Sequence, residues 1–350
     1  MNKSFKVGNR IIGEGAPAFI IAEMSGNHAG SIDNALKIVK AAKEAGADCI
    51  KIQTYTADTI TIDCDNEYFR IGDGTWKGEN LYRLYQKAYT PWEWQPAIFE
   101  EAKKVGLEFF STPFDFSSVD FLEDMGVGFY KIASFELVDI PLIKYVAKTG
   151  KPIIMSTGMA TLEEIEEAVE AVKACGNENL ALLRCASAYP AITDEMNLRT
   201  MTDMKERFGV PVGLSDHSMG AVGAVVSVAL GGSIIEKHFC LSREIENPDS
   251  SFSMEPAEFE AMVRDIRQAE LSIGRVSYGP TKQEESNLKF RRSLFAVEDI
   301  PEGGIITSDN IRSIRPAYGL APKYYDSLLG KHTKCEVKRG TPLDWKMIED

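Results

Sequence analysis

The sequence predicts a (β/α)8 TIM barrel followed by a small strand-rich domain, and three observations lead there. Eight short apolar runs alternate with helical patterns over most of the 350 residues. No G-x-G-x-x-G follows the first run, where a doubly wound dinucleotide-binding sheet usually carries it. From residue 277 the pattern changes to a polar stretch and then a glycine- and proline-punctuated tail.

The runs that predict strands are FIIAE (19–23), CIKIQT (49–54), EFFST (108–112), FYKIAS (129–134), PIIMST (152–157), LALLRCAS (180–187), VPVGLSDH (210–217) and SIIEKHF (233–239). They are apolar almost throughout, as suits parallel strands covered on both faces. Between the first two, Ile32, Leu36, Val39 and Ala42 form a stripe at helical spacing. Residues 57–88 make a long insertion after the second strand, with Tyr68, Phe69, Trp76, Tyr82 and Tyr85, and this predicts a substrate-facing lid. Thr90-Pro91-Trp92-Glu93 offers an N-cap, a proline and a capping-box glutamate for the next helix, which Gly106 closes. Trp92 and Trp94 are expected to pack that helix on the barrel. Thr161 and Glu164 form a second capping box, and Gly176 ends the helix they open. The expected division is a barrel over 1–276, a linker over 277–289 and a small domain over 290–350. A tail of this size has a thin core and gains by docking on something larger.

Composition narrows the function classes. A net charge of −13 argues against a nucleic-acid partner but allows an anionic small substrate in a locally positive pocket. No apolar run has the length of a membrane span, and MNKSFKVGNR lacks a signal peptide's apolar core, so a cytoplasmic protein is expected. The six cysteines include no C-x-x-C pair and predict reduced, mostly structural thiols.

Barrel enzymes place their chemistry at the C-terminal ends of the strands. Here those ends carry Glu23, Gln53, Thr54, Thr112, Ser134, Ser156, Thr157, Ser187, Ser215, His217, Glu236 and His238. Lys51, Lys131 and Lys237 lie within strands, where an amine must be paired, neutralised or bound to an anion. Structural ion pairs, a phosphate-bearing ligand and a Schiff base are the three readings, and the surrounding hydroxyls favour the phosphate. Neighbouring strands lie about 4.8 Å apart, so His217 and His238 at matching heights predict a shared divalent ion. Manganese suits two imidazoles with oxygen ligands better than structural zinc does, with magnesium or cobalt as alternatives. A lone histidine would more often be a hydrogen-bonded core side chain. His28 either orients substrate or holds its loop, and His332 is expected at the surface.

The ordered motifs IAEMSGNH, KIQTYTADT, FFSTPFD, YKIASFE, MSTGMAT, GLSDHS and IEKHF resemble the sialic acid synthase family. The tail from Phe290, with RRSLF and IRP, resembles that family's antifreeze-like (β-clip, SAF) domain. DGTWKGENLYRLYQKAYTPWEW and DSSFSMEP are most similar to its pseudaminic acid synthase branch. Ser187 stands in LLRCASAYP where sialic acid synthases proper usually have asparagine, which supports the branch.

The resemblance implies condensation of phosphoenolpyruvate with 2,4-diacetamido-2,4,6-trideoxy-L-altrose, giving a nine-carbon keto acid and phosphate. It implies metal binding by His217 and His238, and catalytic roles for these two with Glu23 and Glu136. Lys51, Thr112, Lys131, Ser134, Ser156 and Ser215 are implied to hold phosphoenolpyruvate. Gln53, Ser187, Tyr189 and Asp249 are implied near the sugar or the metal. Arg315 of the tail is implied to reach into a partner chain's barrel in a domain-exchanged homodimer. A product destined for surface glycans or flagellin is implied by the branch alone. N-acetylneuraminate and legionaminic acid synthases remain alternatives within the family, and a Schiff-base aldolase is the rival outside it.

Overall fold

In the computed structural model, which describes residues 1–349, the first unit spans Met1–Gly274 and a second compact unit begins at Arg275. The chain opens with an antiparallel hairpin of β1 (Ser4–Val7) and β2 (Arg10–Gly13), which no sequence pattern announced. The barrel strands follow: β3 (Phe19–Glu23), β4 (Cys49–Thr54), β5 (Glu108–Pro113), β6 (Tyr130–Ile132), β7 (Ile153–Ser156), β8 (Leu180–Cys185), β9 (Val212–Asp216) and β10 (Ile234–His238). All pair in parallel and close as β10-β3-β4-β5-β6-β7-β8-β9. The predicted barrel is therefore the observed one.

Side chains alternate across this wall as the strand period requires. Phe19, Ile21, Cys49, Phe110, Phe129, Ile154, Ala181, Leu183 and Ile234 fill the interior, together with Phe5, Val7 and Ile12 of the hairpin. Phe110 and Phe129 stack there with centroids 4.2 Å apart. Each such large side chain contributes about 1.5–3 kcal/mol when fully buried. The hairpin thus plugs one end of the barrel and leaves the other for polar groups. Residues of opposite phase, such as Ile20, Ile50, Ile132, Met155 and Leu214, pack against the surrounding helices.

Local signals set the helix ends, with two adjustments. Helix Ile32–Glu44 starts at Ser31, whose side chain accepts from the Asn34 N–H, but its buried face is Ala35, Ile38, Val39 and Ala42. Ile32 and Leu36 lie at the edge of that face and are only half-buried. Thr90 does not cap the next helix: Trp92–Trp94 forms a 3-10 turn and the α-helix begins at Gln95, with Pro96 in its first turn. A proline there needs no N–H partner and starts the helix later than Pro91 suggests. Gly106 closes it in the left-handed region, and the Thr161/Glu164 capping box forms as expected.

The second unit holds β11 (Ser293–Ala296) paired antiparallel with β12 (Ile311–Ile314). Its core comprises Leu294, Ala296, Ile300, Ile306, Ile311, Leu328, Val337, Leu343 and Ile348. Residues 277–289 belong to this unit and are exposed except for half-buried Leu288. Among the described residues no helix is long and apolar enough to cross a membrane.

Candidate active site

The interior-facing phase of each strand ends in a polar residue at the mouth opposite the hairpin. On β3 and β4 these are Glu23 and Lys51, which are register partners, and Gln53, which faces Thr112 of β5. Lys131 stands on β6, Ser156 on β7, Cys185 on β8 and Ser215 on β9, with Glu236 and His238 on β10.

Lys51 Nζ lies 2.7 Å from Glu23 Oε2 and 2.9 Å from Glu236 Oε1. Lys131 Nζ donates to Ser156 Oγ at 2.6 Å and to the Ile132 carbonyl at 3.0 Å, and stands 3.9 Å from Glu236. Ser215 Oγ donates to the same Glu236 oxygen at 3.1 Å. None of these four charged side chains is more than 5% exposed. Burial pulls the Lys51 ammonium down to about 8 despite Glu236. For Glu236 burial works upward, but Lys131 and Lys51 outweigh it and keep the carboxyl ionised well below its usual range. Glu236 is the hub of the network, a role that its place at a strand end does not by itself predict. Its even spacing from His238 within one strand was the available signal.

Free acceptors and donors surround this core. Glu23 Oε2, Glu236 Oε2, Glu136 Oε2 and Thr112 Oγ1 are buried without a hydrogen-bond partner, although Glu23 Oε2 has its ion pair. Glu23 is held from behind by Ser25, whose N–H and hydroxyl donate to Oε1 at 3.1 and 2.6 Å. Ser134 Oγ accepts the Gly158 N–H at 3.1 Å, and a Cβ on Gly158 would come within 2.1 Å of Ser187 Oγ. Glu136, in the 3-10 turn Ser134–Val138, is pushed up to about 7 by burial, with Lys131 opposing. Asp249 accepts the Gly26 N–H at 2.7 Å and is raised to about 6, again by burial, against the Gly26 bond and His217.

His217 and His238 face each other with ring centroids 5.3 Å apart. His217 Nδ1 lies 3.1 Å from the Ala186 carbonyl and 3.8 Å from Cys185 Sγ. A carbonyl only accepts, so the proton sits on Nδ1 and Nε2 carries the lone pair. Burial opposes ionisation of both Cys185 and His217, yet their attraction draws the thiol down to about 6 and raises the imidazole. Burial, then His217, holds His238 well below the usual imidazole range, and its Nδ1 has no partner. Surroundings that favour a proton on His217 favour a cation beside it, and a neutral His238 offers a lone pair. The two imidazoles therefore fit one divalent first-row ion whose other ligands are oxygens. Among the described residues no cluster of three or more His, Cys, Asp or Glu has metal-holding geometry.

Lys237 belongs to the other phase. It points out of the barrel to Asp216, 2.8 Å away, and donates to the carbonyls of Ser218 and Gly220. Its role is to fasten the loop after His217. His28 holds its own loop, since its Nδ1 accepts the Gly30 N–H at 3.1 Å. His332 is exposed, as expected, and Arg315 is an exposed residue of the second unit. Trp92 donates to the Tyr55 carbonyl, while Trp94 packs against the layer between barrel and helices. A depression of about 750 Å³, lined by Lys205, Pro211, Ser233, Arg267 and Glu270 among others, lies at the opposite end and holds none of these groups.

A parallel barrel whose C-terminal mouth gathers two lysines, three glutamates, a set of hydroxyls and two histidines has the arrangement of an enzyme site. Comparison with known proteins agrees: the NeuB family model matches residues 38–278 and the SAF domain matches 291–349. The chain belongs to the NeuB family. It is 47% identical over 325 residues to a pseudaminic acid synthase of Campylobacter jejuni (strain 81-176), covering 93% of this chain and 95% of that one. A pseudaminic acid synthase of Helicobacter pylori is 42% identical, covering 95% and 98%. Among solved structures, an N-acetylneuraminic acid synthetase of Leptospira borgpetersenii in complex with citrate superposes with a TM-score of 0.73. That protein is 31% identical, and the match covers 82% of this chain and 96% of the other.

Proposed function

We propose that this chain is a pseudaminic acid synthase, joining phosphoenolpyruvate, 2,4-diacetamido-2,4,6-trideoxy-L-altrose and water to give pseudaminic acid and phosphate. The observation that carries the reading is the buried Lys51/Lys131 pair with its hydroxyls, set beside two facing histidines in one barrel mouth. The relatives' names supply the sugar.

In this reading Lys51 and Lys131 hold the phosphate and carboxylate of phosphoenolpyruvate, with Thr112, Ser134, Ser156 and Ser215 completing the cradle. Anchored ammonium and hydroxyl groups are pre-oriented, so they stabilise charge without reorganising during the reaction. His217 and His238 would hold a divalent cation, manganese first and magnesium or cobalt otherwise, which supplies Lewis-acid polarisation of the sugar aldehyde. C3 of phosphoenolpyruvate bonds to the aldehyde carbon, whose oxygen takes up a proton, and cationic character passes to C2. Water adds at C2 and loses a proton to Glu136, which burial holds near neutrality and thus suits to general-base work. The adduct collapses to the ketone as the C2–O bond to phosphate breaks. Glu236 helps to keep Lys51 charged, Glu23 pairs with it, and Asp249, Gln53, Ser187 and Tyr189 face the sugar. Orientation of two substrates around one point supplies much of the acceleration.

Arg315 is assigned to the mouth of a second copy's barrel in a homodimer; sedimentation of the full chain as a monomer would remove that assignment. The central test is phosphate release with Mn²⁺ and then EDTA, across the altrose sugar, its manno-configured diacetamido counterpart and N-acetylmannosamine. Metal-dependent release with the altrose alone is expected. Release only with a manno sugar would move the chain to the legionaminic or neuraminic branch. Phosphoenolpyruvate labelled with ¹⁸O at the bridging position should deliver the label to phosphate.

A further inference from the structure

Two motifs stand apart from the phosphoenolpyruvate cradle, DGTWKGEN in the insertion and DSSFSMEP after β10, and the fold brings them together over the histidines. Trp76 Nε1 donates to the Pro248 carbonyl at 3.0 Å, across 172 residues of chain. The neighbouring Thr75 hydroxyl donates to the Tyr189 carbonyl. The Trp76 ring lies 5.5 Å from Tyr189 and 6.2 Å from Phe252. Those two rings lie 5.1 Å from each other, with Tyr189 4.2 Å from His217 and Phe252 5.1 Å from His238. The insertion is therefore fastened by two hydrogen bonds to two different loops, and it delivers an indole as the outermost of three rings.

The floor of the site and this wall differ in chemistry. Lysines, glutamates and hydroxyls lie on one side, while Trp76, Tyr189 and Phe252 offer carbon on the other. Trp76 stands one ring further from the histidines than Tyr189 or Phe252. A sugar whose aldehyde lies at the histidines turns its far carbons toward that ring. A 6-deoxy sugar has a methyl group there, where a common hexosamine has a hydroxyl that would lose its water without finding a partner.

We propose that Trp76 is a specificity-determining residue, the part of an aromatic wall that accepts the 6-methyl end of a deoxy acetamido sugar and rejects a 6-hydroxyl. This rests on the synthase reading above.

The test compares wild type, Trp76→Ala and Trp76→Phe with the trideoxy sugar and its 6-hydroxy analogue, 2,4-diacetamido-2,4-dideoxy-L-altrose. A methyl-sized contact in an apolar pocket is worth about tenfold or more in kcat/KM. In Trp76→Ala the preference for the 6-deoxy sugar should fall by about that factor, with the KM for phosphoenolpyruvate unchanged. Trp76→Phe keeps a ring but loses the N–H, and should retain most of the preference. An unchanged preference in Trp76→Ala overturns the proposal. So does an equal loss in both variants, because the latch rather than the ring would then do the selecting. A rise in the phosphoenolpyruvate KM matching that of the sugar overturns it as well, by showing general disruption. Wild-type enzyme that ignores both altrose sugars but turns over N-acetylmannosamine, which has a 6-hydroxyl, defeats the pseudaminic reading first and the wall with it. Trp76→Ala failing alone leaves that reading standing.

Discussion

Lys237→Met separates a structural lysine from a catalytic one. The ammonium lies 2.8 Å from Asp216 Oδ2, with side-chain exposures of 1% and 0%, and also serves the Ser218 and Gly220 carbonyls. Removing one member of a buried pair leaves the other uncompensated and costs about 3–5 kcal/mol. At about 2–4 °C per kcal/mol for a large domain, the melting temperature should fall by about 6–20 °C. Asp216→Asn added to Lys237→Met removes the stranded charge. It also keeps an oxygen for the Ser218 N–H and hydroxyl, which donate at 2.9 and 2.6 Å to Oδ1. The double variant should therefore recover half or more of the loss. Thermal unfolding followed by circular dichroism, with turnover measured well below the transition, reads both quantities. A single variant within about 1 kcal/mol of wild type would refute the buried-pair argument, since that is the scale of an exposed pair. Abolished turnover at unchanged stability would return Lys237 to the site.

Three further outcomes follow from the same geometry. Glu136→Gln should lower kcat by about 10²–10⁴ and abolish an acidic limb near pH 7 in the rate profile. Because the folded carboxyl titrates near 7 and the unfolded one in the ordinary carboxylate range, the native state binds more protons between those values and stability falls as pH rises through them. Glu136→Gln should thus be more stable than wild type at pH 8 in urea titrations, and equal stability would contradict the burial argument. His217→Ala and His238→Ala should each lose metal content and turnover while keeping the circular dichroism of the barrel; wild-type metal content in either would remove the assignment. Gly158→Ala would place a methyl 2.1 Å from Ser187 Oγ and 2.7 Å from Ser134 Oγ. It should raise the KM for phosphoenolpyruvate more than it lowers kcat, and an unchanged KM would show that Ser134 lies outside the cradle.

Much of this site was legible before any coordinates. Strands buried on both faces must be apolar, so a polar residue at the end of such a run marks the mouth of a barrel. Glu23, Thr112, Ser156, Ser215, His217 and His238 are marked that way, while Lys51 and Lys131 stand out as amines inside apolar strands. Glu236 stands among the strand-end residues without a role of its own, and Lys237 beside the lysines of the site, until the run SIIEKHF is given its phase. With a period of two, Glu236 and His238 share the interior face and Lys237 takes the other. The phase was in the sequence, but it needed one anchor residue known to point inward.

Other features had no local signal. Hairpin β1–β2 is only four residues per strand and is broken by Ser4, Lys6 and Arg10, so nothing in it announces a plug for the barrel. Helix starts moved by a few residues where two prolines, Pro91 and Pro96, competed to mark the same turn.

By itself the sequence determined the barrel, its eight strands and the polar residues at their mouth, because alternation, apolar burial and capping act over a few residues at a time. Tertiary structure alone decided which of those polar groups meet. Strand closure brings Glu236 between Lys51 and Lys131, and the path of the insertion sets Trp76 against Pro248 and Phe252. Such encounters depend on register and loop path across many tens of residues, and no local preference encodes them.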